Sequence, residues 1–204
     1  MRKIKKDLYV LKRNKILEAA STIFIRKGFH KTQMEDVAEK TGVAKGTLYL
    51  YFKSKEELFA ALLEYIFEKG TSGIDGIACM KTGTEEKLRL LLKKHLEFCE
   101  ENQEFFEFVH EEFKNVARTL NDSFKQKFMK KQRNILRIIS EIMEQGIREK
   151  LLKPFDPLIA AMVFEGIIQS IVQGTIMLKK NKKLTDMLPV FMDIFLEGLG
   201  RGET

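Results

Sequence analysis

The sequence predicts an all-α protein of about nine helices, and three observations carry this prediction. Helix-favouring residues (Lys, Glu, Leu, Ile, Met and Phe) dominate the 204 residues, and a hydrophobic content of 44% is too high for a disordered tail. The 3 Pro and 13 Gly are too few turn-formers for a many-stranded sandwich or barrel. Apolar residues recur at spacings of three and four almost everywhere, whereas strand alternation is almost absent.

The first two predicted helices have recognisable end signals. The apolar face of residues 16–27 ends at Gly28, which is placed as the C′ residue of the first helix. Thr32 and Glu35 form a T-x-x-E capping box, so the second helix is predicted to begin there and to continue through Lys40.

Later elements follow from the same signals. A break at residues 41–43 precedes a short third helix over 44–51. Ser54 and Glu57 form a second capping box, which begins a helix that extends to residue 69. A Gly-rich stretch over 70–76 is the one segment typical of a linker. Beyond it the periodicity predicts helices over 84–100, 102–117, 121–149, 157–180 and 185–199.

The positive charge of the chain is concentrated at its N-terminal end. Residues 1–55 hold 14 of the 36 Lys and Arg but 5 of the 29 Asp and Glu, a net charge of +9, and the remaining residues carry a net charge of −2. This distribution indicates a polyanion partner at one end of the molecule. For the basic residues among the first six alone, a solubility tail is an equally good interpretation. The apolar stripe behind them is too short for membrane-surface binding.

Residues 32–52 have the pattern of a helix-turn-helix, in which two short helices are joined by a three-residue turn containing Gly. Ala38 is small enough for close helix approach, and Gly42 can take the positive φ that the turn needs. Val43 and Leu48 are expected to fix both helices to the core. Ordinary helical bundles also contain such pairs, so the pattern alone leaves both interpretations open. The residues left facing outwards are Lys45, Gly46, Thr47, Tyr49 and Tyr51.

Residues 16–64 resemble the DNA-binding domain of the TetR family of bacterial transcriptional regulators. The run G-T-L-Y-x-Y-F-x-S-K-E-E-L at residues 46–58 is very specific to that family. The rest of the chain agrees in being helical and of the right length. The resemblance implies an N-terminal basic arm and helix-turn-helix domain over residues 1–53. A ligand-binding and dimerisation domain over residues 54–204 follows, whose first helix, 54–69, connects the two.

The resemblance also implies DNA-binding roles for individual residues. Thr32 would bind phosphate through its hydroxyl and backbone N–H, as helix N-termini do. Lys45 would donate to guanine O6 and N7, and Gly46 would let the backbone approach the groove. Lys55 would contact a backbone phosphate, and the N-terminal arm would lie along the minor groove or the flanking backbone.

Three further side chains of the third helix, Thr47, Tyr49 and Tyr51, would hold phosphates or stack on sugars. For the two tyrosines, packing at the edge of the three-helix core is the alternative.

Twelve of the 16 Phe lie beyond residue 60. For any single Phe an ordinary core position is the simpler interpretation, but TetR-like proteins enclose an effector cavity among these helices. An aromatic and Met-rich lining suits a lipophilic or flat aromatic ligand. The expected ligand-binding residues are Phe98, Phe105, Phe108, Phe128, Met129, Phe164 and Gln169, and His95, His110 and Gln173 are further polar groups able to orient such a ligand.

Residues 158–178 contain one charged residue, Glu165, and have the length of a membrane span. Glu165 and its polar neighbours would be costly in lipid, so a helix buried on both sides is predicted. In the TetR family the last two helices build a four-helix dimer interface with their copies. The resemblance therefore implies an interface of Gly166, Ser170, Gly174, Phe191 and Phe195.

Other function classes find little support. The chain has no G-x-S-x-G, P-loop or G-x-G-x-x-G motif, so no enzymatic activity, cofactor or metal is expected. Cys79 and Cys99 lack a C-x-x-C spacing, and the first residues do not have the pattern of a signal peptide, so we expect a cytoplasmic, reduced protein.

The function predicted from the sequence is a ligand-responsive, sequence-specific transcriptional regulator. We expect a homodimeric repressor that is released from a palindromic double-stranded DNA operator by a lipophilic small molecule, with no membrane partner. Three alternatives stay open at this point: an activator, a ligand-independent regulator, and a helical small-molecule-binding protein without an operator.

Overall fold

The structure is a computed structural model that describes the backbone of residues 2–116, 120–177 and 183–199. It describes the side chains of residues 6–112, 120–175 and 183–198, so the basic side chains at positions 2, 3 and 5 lie outside the described residues. Across these ranges the chain forms helices and no β-strand, which confirms the predicted all-α fold. The α-helices are α1 (Arg2–Lys31), α2 (Met34–Thr41), α3 (Lys45–Tyr51), α4 (Lys55–Thr71), α5 (Ile74–Ala78), α6 (Thr84–Glu101), α7 (Gln103–Val116), α8 (Asp122–Arg148), α9 (Pro157–Met177) and α10 (Leu188–Leu199).

The first helix is longer than the sequence predicts, because it begins at Arg2 rather than near residue 16. The N-terminal extension is part of α1, and its Tyr9 ring stacks on Tyr51 of α3 with 4.7 Å between the centroids. One turn later the Arg13 guanidinium lies over the Phe52 ring, 5.5 Å from its centroid. Gly28, which the sequence places as the C′ residue of the first helix, has a positive φ of 76° and interrupts the helical geometry, but α1 continues beyond it to Lys31.

The predicted capping box of Thr32 and Glu35 is wrong. The N-cap of α2 is Gln33, whose backbone N–H donates to the Asp36 carboxylate over 2.9 Å. Thr32 is 1% exposed, and its hydroxyl donates to the Gly28 carbonyl over 2.8 Å. Helical backbone resumes after Gly28 and continues to Lys31, which turns Thr32 inwards and moves the start of α2 along the chain.

The turn between α2 and α3 forms as predicted. Gly42 has a φ of 68° and ends α2, and the N–H of Val43 donates to the Ala38 carbonyl over 3.2 Å. Leu48 of α3 is fully buried, which fixes this helix to the core. The predicted capping function of Ser54 is also present at the start of α4, since its hydroxyl accepts from the Glu57 N–H over 3.1 Å.

The chain divides into two compact units. Unit 1 comprises Met1–Lys69 and Glu104–Phe128, and unit 2 comprises Gly70–Gln103 and Met129–Thr204. This division describes packing and places α7 with the helix-turn-helix, which the sequence argument did not anticipate. The functional boundary predicted at residues 53/54 stays a prediction.

The core of unit 1 is an aromatic cluster formed by Phe24, Phe29, Phe59 and Phe108. Phe24 and Phe59 meet edge to face at 5.3 Å between centroids, and Phe59 and Phe108 do so at 6.0 Å. Each of the four rings is at most 6% exposed. Because Phe108 belongs to α7, this cluster fixes α7 to the helices around it.

Unit 2 contains a helix in the segment that the sequence predicts to be a linker. α5 occupies residues 74–78, and the buried Lys87 ammonium of α6 donates to the Ala78 carbonyl and to the Gln145 amide oxygen of α8, both over 2.7 Å. These hydrogen bonds satisfy a cation that is only 4% exposed. Residues 70–71 end α4 and residues 74–76 begin α5, so most of the Gly-rich stretch is helical, although none of its residues is buried.

Candidate nucleic-acid interface and ligand cavity

The outward face of α3 is small, basic and hydroxyl-bearing, as the sequence predicts. Lys45 and Gly46 are exposed, Thr47 is half-buried and Tyr49 is 39% exposed. A side chain added at Gly46 would meet no atom within 4 Å, so the surface there is open. In a helix-turn-helix the first residues of the second helix reach base edges, which is the position that Lys45 and Gly46 occupy.

One apolar residue on this face was not predicted from the sequence. Leu50 is 82% exposed, the largest exposure of any large hydrophobic residue that the structure describes. An apolar side chain on a recognition helix can contact a thymine methyl group. The available signal was its place in the family motif, where it is the variable residue between two tyrosines.

Lys45 forms an ion pair with Glu35 of α2, a contact that the sequence did not predict. The two side chains are 61% and 49% exposed. The hydrogen bond to Lys45 lowers the pKa of the Glu35 carboxyl, and the same bond raises the pKa of Lys45. Both groups therefore stay charged at neutral pH.

The two predicted phosphate ligands outside α3 are both engaged within the protein. The Thr32 hydroxyl donates to Gly28, as described above. The Lys55 ammonium donates to the carbonyls of Phe29 and His30 over 2.8 and 3.1 Å, and it lies 4.7 Å from the centre of the Phe29 ring. Lys55 thus caps the C-terminal end of α1. The phosphate roles of both residues stay predictions, and each would require these contacts to be shared or exchanged.

Of the two interpretations for the tyrosines, the contacts favour packing for one. Tyr51 is half-buried and stacks on Tyr9, so its ring is occupied by the extension of α1. Tyr49 is exposed enough to reach a ligand.

A cavity lies within unit 2 among α4, α5, α6, α8 and α9. The space in it that a water-sized sphere can occupy is about 20 Å³, which is enough for one water molecule. Phe164 is the single member of the predicted ligand-binding set that lines it. The lining residues are Gly70, Ile74, Leu91, Lys94, His95, Ile139, Phe164, Glu165 and Ile168.

Most of the predicted ligand-binding residues do not line this cavity, and their ligand-binding role stays a prediction. Phe105 and Phe108 are buried in unit 1, where their rings are 6.2 Å apart. Phe128, also in unit 1, packs against Phe67 at 4.9 Å between centroids. Met129 is 44% exposed.

Two further members of that set belong to unit 2. Gln169 is exposed on α9. The Phe98 ring lies against Gly70, where a side chain would meet it at 2.7 Å, so Phe98 stands next to the cavity wall.

Three titratable groups line the cavity, namely Lys94, His95 and Glu165, and burial shifts the pKa of the last two. Burial raises the pKa of the Glu165 carboxyl and lowers the pKa of the His95 imidazole, so both are driven towards their neutral forms. A neutral carboxyl group and a neutral imidazole can each donate and accept hydrogen bonds. The cavity therefore combines apolar walls with groups that can orient the polar part of a ligand.

The predicted dimer residues divide into two sets. Phe191 and Phe195 are at most 1% exposed and pack against Phe164 inside unit 2 at 5.2 and 5.1 Å, and their place in a dimer interface stays a prediction. Gly166 and Ser170 are exposed, and side chains at Gly166 and Gly174 would meet no atom within 4 Å. The exposed apolar residues of α9 and α10 are Leu158, Ile159, Met162, Val163, Val190 and Ile194.

Helix α9 also has the length and composition of a membrane span. Residues Pro157–Thr175 have a mean hydropathy of 1.4. The helix carries the half-buried Glu165 and has a buried face that includes Phe164 and Ile168, as the core helix of a water-soluble protein does. The opposite face of α9 is apolar and exposed to solvent.

Across the described residues the chain is helical, with a helix-turn-helix in unit 1 and a cavity in unit 2, and this arrangement is typical of transcriptional regulators. Comparison with protein families identifies it: residues 16–62 match the family described as "Bacterial regulatory proteins, tetR family", and residues 81–173 match "Tetracyclin repressor-like, C-terminal domain". The chain belongs to the TetR family of transcriptional regulators.

Relatives and solved structures agree with this assignment. The chain is 30% identical over 188 residues to the HTH-type transcriptional regulator YfiR of Bacillus subtilis, covering 82% of this chain and 83% of YfiR. It is 26% identical over 147 residues to the HTH-type transcriptional repressor KstR2 of Mycobacterium tuberculosis, covering 70% of each chain. The structure of FadR from Bacillus subtilis in complex with stearoyl-CoA superposes with a TM-score of 0.74 at 26% identity, covering 91% of this chain and 98% of FadR.

Proposed function

We propose that this protein is a cytoplasmic, homodimeric repressor that binds a palindromic double-stranded operator and is released from it by a lipophilic small molecule. The observation that carries the proposal is the exposed N-terminal end of α3, where Lys45 and Gly46 stand free of the core while Leu48 anchors the helix. A cationic side chain beside a residue without a side chain suits close entry into the major groove. The repressor KstR2 supports the direction of regulation.

The proposed operator is palindromic because the proposed repressor is a dimer. One recognition helix makes few base contacts, so two must be presented about one DNA turn apart, ~34–36 Å. The exposed apolar residues of α9 and α10 are suited to a second copy, and the open surface at Gly166 and Gly174 permits close helix contact.

Gly166, Ser170 and Gly174 form a stripe of small residues on α9, and a substitution in this stripe tests the dimer. Gly174→Leu places a bulky side chain on the open surface of α9 and should shift the protein towards the monomer in light scattering. Gly76→Leu is the matched control, because the surface at Gly76 in α5 is equally open and lies outside the stripe. An intact dimer in the Gly174 variant would place the interface elsewhere.

The proposed effector binds in the cavity of unit 2. Its apolar walls favour a lipophilic molecule, and the stearoyl-CoA in the related FadR structure makes long-chain acyl compounds the first class to examine, with polycyclic aromatic compounds second. Shifting a dimer from mostly competent to mostly incompetent requires about 10⁴-fold preference for one state. Burial of ~200–300 Å² of apolar surface can supply that preference at about 25 cal/mol per Å², before ordering costs.

Helix α4 provides a route from effector to DNA. Gly70 near its C-terminal end lines the cavity, and Lys55 at its N-terminal end donates to the last carbonyls of α1. A ligand that displaces the cavity wall at Gly70 therefore acts on α4, the helix whose N-terminal end is held against α1 by Lys55. A change in the tilt of α4 is the proposed signal.

The test has two stages. Selection from a pool of random DNA duplexes identifies the operator, and its affinity is then measured at fixed salt with and without stearoyl-CoA or phenanthrene. Lys45→Ala should relax base preference at one position in each half-site, about tenfold or more. Release by either lipophile supports the proposal. Binding of both lipophiles without any change in operator affinity would overturn the coupling, and release by a charged polar metabolite alone would overturn the lipophilic effector.

A further inference from the structure

The contact of Lys45 with Glu35 places a carboxylate at the end of α3 that reads DNA. Glu35 is the second residue of α2, and its side chain reaches the first residue of α3. Both side chains are about half exposed, so the pair is open to an approaching duplex. Because the recognition helix meets bases with its N-terminal residues, a group that contacts Lys45 is also near those bases.

Fold stability gives this carboxylate a small, local role, since it lies in the first turn of α2 and accepts a hydrogen bond from its own backbone N–H. Exposed ion pairs contribute little to folding. The start of α2 is already held by another acid, since Asp36 accepts from the Gln33 N–H and pairs with Lys27 over 2.7 Å. Glu35 serves neither of these bonds. Near DNA the negative charge of Glu35 also repels phosphates, so it lowers the affinity for DNA unless it makes a favourable contact that compensates for this repulsion.

We propose that Glu35 is a specificity-determining residue that accepts a hydrogen bond from the N4 amino group of a cytosine next to the guanine read by Lys45. In the major groove cytosine presents an N4 donor and guanine presents the O6 and N7 acceptors. A carboxylate beside an ammonium group offers the complementary acceptor and donor. This inference rests on the proposed DNA-binding function and assigns a second reader to the same surface.

The pairing also separates specificity from affinity. An isolated lysine at the groove is attracted by every phosphate, whereas the Lys45–Glu35 pair has no net charge. The pair therefore discriminates among base pairs while adding little to the sequence-independent attraction. Removal of the Glu35 charge should leave Lys45 free to contact phosphate.

The experiment compares wild type, Glu35→Gln and Glu39→Gln in selections from a random duplex pool, followed by competition binding at several salt concentrations. Glu39 is the matched control, because it lies exposed on α2 and its substitution changes the net charge equally. We expect the glutamine at position 35 to lose about tenfold of the preference for cytosine at one position of each half-site. Its binding to unrelated duplexes should tighten, and the slope of log affinity against log salt should steepen by about one. Glu39→Gln should keep the wild-type preference.

Each other outcome has a defined meaning. If Glu35→Gln selects the wild-type sequence with unchanged discrimination, the proposal is overturned and Glu35 is an ordinary surface partner of Lys45. A loss confined to the guanine position would overturn the cytosine contact and make Glu35 a positioning residue for Lys45. If wild type itself selects no sequence, the proposed function fails and the inference fails with it.

Discussion

The aromatic residues of the two units are arranged in opposite ways. In unit 1 the rings of Phe24, Phe29, Phe59 and Phe108 contact one another and form the core. Each is buried by its aromatic neighbours, and the Lys55 ammonium lies 4.7 Å from the centre of the Phe29 ring. Such packing contributes area burial and ring–ring contacts.

In unit 2 a ring that is just as buried borders a cavity. Phe164 contacts Phe191 and Phe195, yet it also lines the space that His95 and Glu165 face. His95 and Glu165 distinguish this site from the aromatic cluster of unit 1. Burial disfavours the charged form of each, so both are available as neutral hydrogen-bonding groups. The comparison teaches that a high density of Phe indicates a core, whereas buried polar groups among apolar walls indicate a candidate ligand site.

The largest expected effect concerns the aromatic cluster of unit 1. Phe108→Ala should lower the free energy of unfolding by about 3–5 kcal/mol, because a buried ring is lost and the cluster around it cannot collapse fully. Urea denaturation measures this loss. The remaining folded protein should bind stearoyl-CoA as wild type does. An unchanged stability with weakened ligand binding would return Phe108 to the ligand-binding set predicted from the sequence.

The second-largest expected effect concerns Lys55, which caps the C-terminal end of α1. Lys55→Ala should cost about 1–3 kcal/mol, since it removes charge-assisted hydrogen bonds to Phe29 and His30 and a cation–π contact. Lys53→Ala is the control, because Lys53 is exposed and has the same charge. Thermal or urea unfolding separates this structural role from the predicted phosphate contact. Unchanged stability with a uniform loss of DNA affinity and a flatter salt slope would support the phosphate contact instead.

These two residues show what the sequence could and could not predict. Helix periodicity, the Gly42 turn and the motif at residues 46–58 are local signals, so the all-α fold and the helix-turn-helix were predictable. The partner of a side chain is set by packing between elements distant in sequence. Lys55 is 26 residues from Phe29, and Phe108 is 84 residues from Phe24, so neither contact has a local signature.

The cavity was unpredictable for a similar reason. Its lining comes from five helices, and of the seven residues predicted from aromatic richness only Phe164 reaches it. His95 was considered as a polar group that could orient a ligand, but nothing in its local sequence distinguishes a cavity-facing histidine from a surface one. Glu165 is the one charge in an apolar helix, which argues from the sequence against a membrane span but does not by itself predict a place in a cavity.

A pH-dependent prediction follows for that charge. Burial raises the pKa of Glu165, so the folded state holds this proton to higher pH than the unfolded chain, and stability falls as pH rises through this range. Glu165→Gln should therefore be more stable than wild type at pH 7–8, on the order of 1 kcal/mol. The difference should vanish below the ordinary glutamate pKa of 4.5.

Two other titratable groups face the same cavity and set the control. Lys94 and His95 of α6 are present in both proteins, so comparing the two urea-unfolding curves at each pH isolates the effect of position 165. His95 has the opposite dependence, since burial lowers its pKa and its contribution is lost as pH falls. A difference between wild type and variant that stays constant from pH 4 to 8 would show that Glu165 is solvated and not buried against the cavity.

The smallest expected effect concerns a residue that the sequence placed in the ligand site and the structure places on the surface. Gln169 is exposed on α9, beside the open stripe that contains Gly166 and Ser170, whereas Phe164 and Ile168 of the same helix face inwards. Gln169→Ala should therefore change the free energy of unfolding by no more than about 0.5 kcal/mol, as surface substitutions usually do. Titration with stearoyl-CoA should give the wild-type affinity, while Ile168→Ala, a substitution one residue away in the cavity wall, should weaken it. Equal losses of ligand affinity in both variants would mean that the ligand contacts both faces of α9, and the candidate ligand site would then not be confined to the cavity of unit 2.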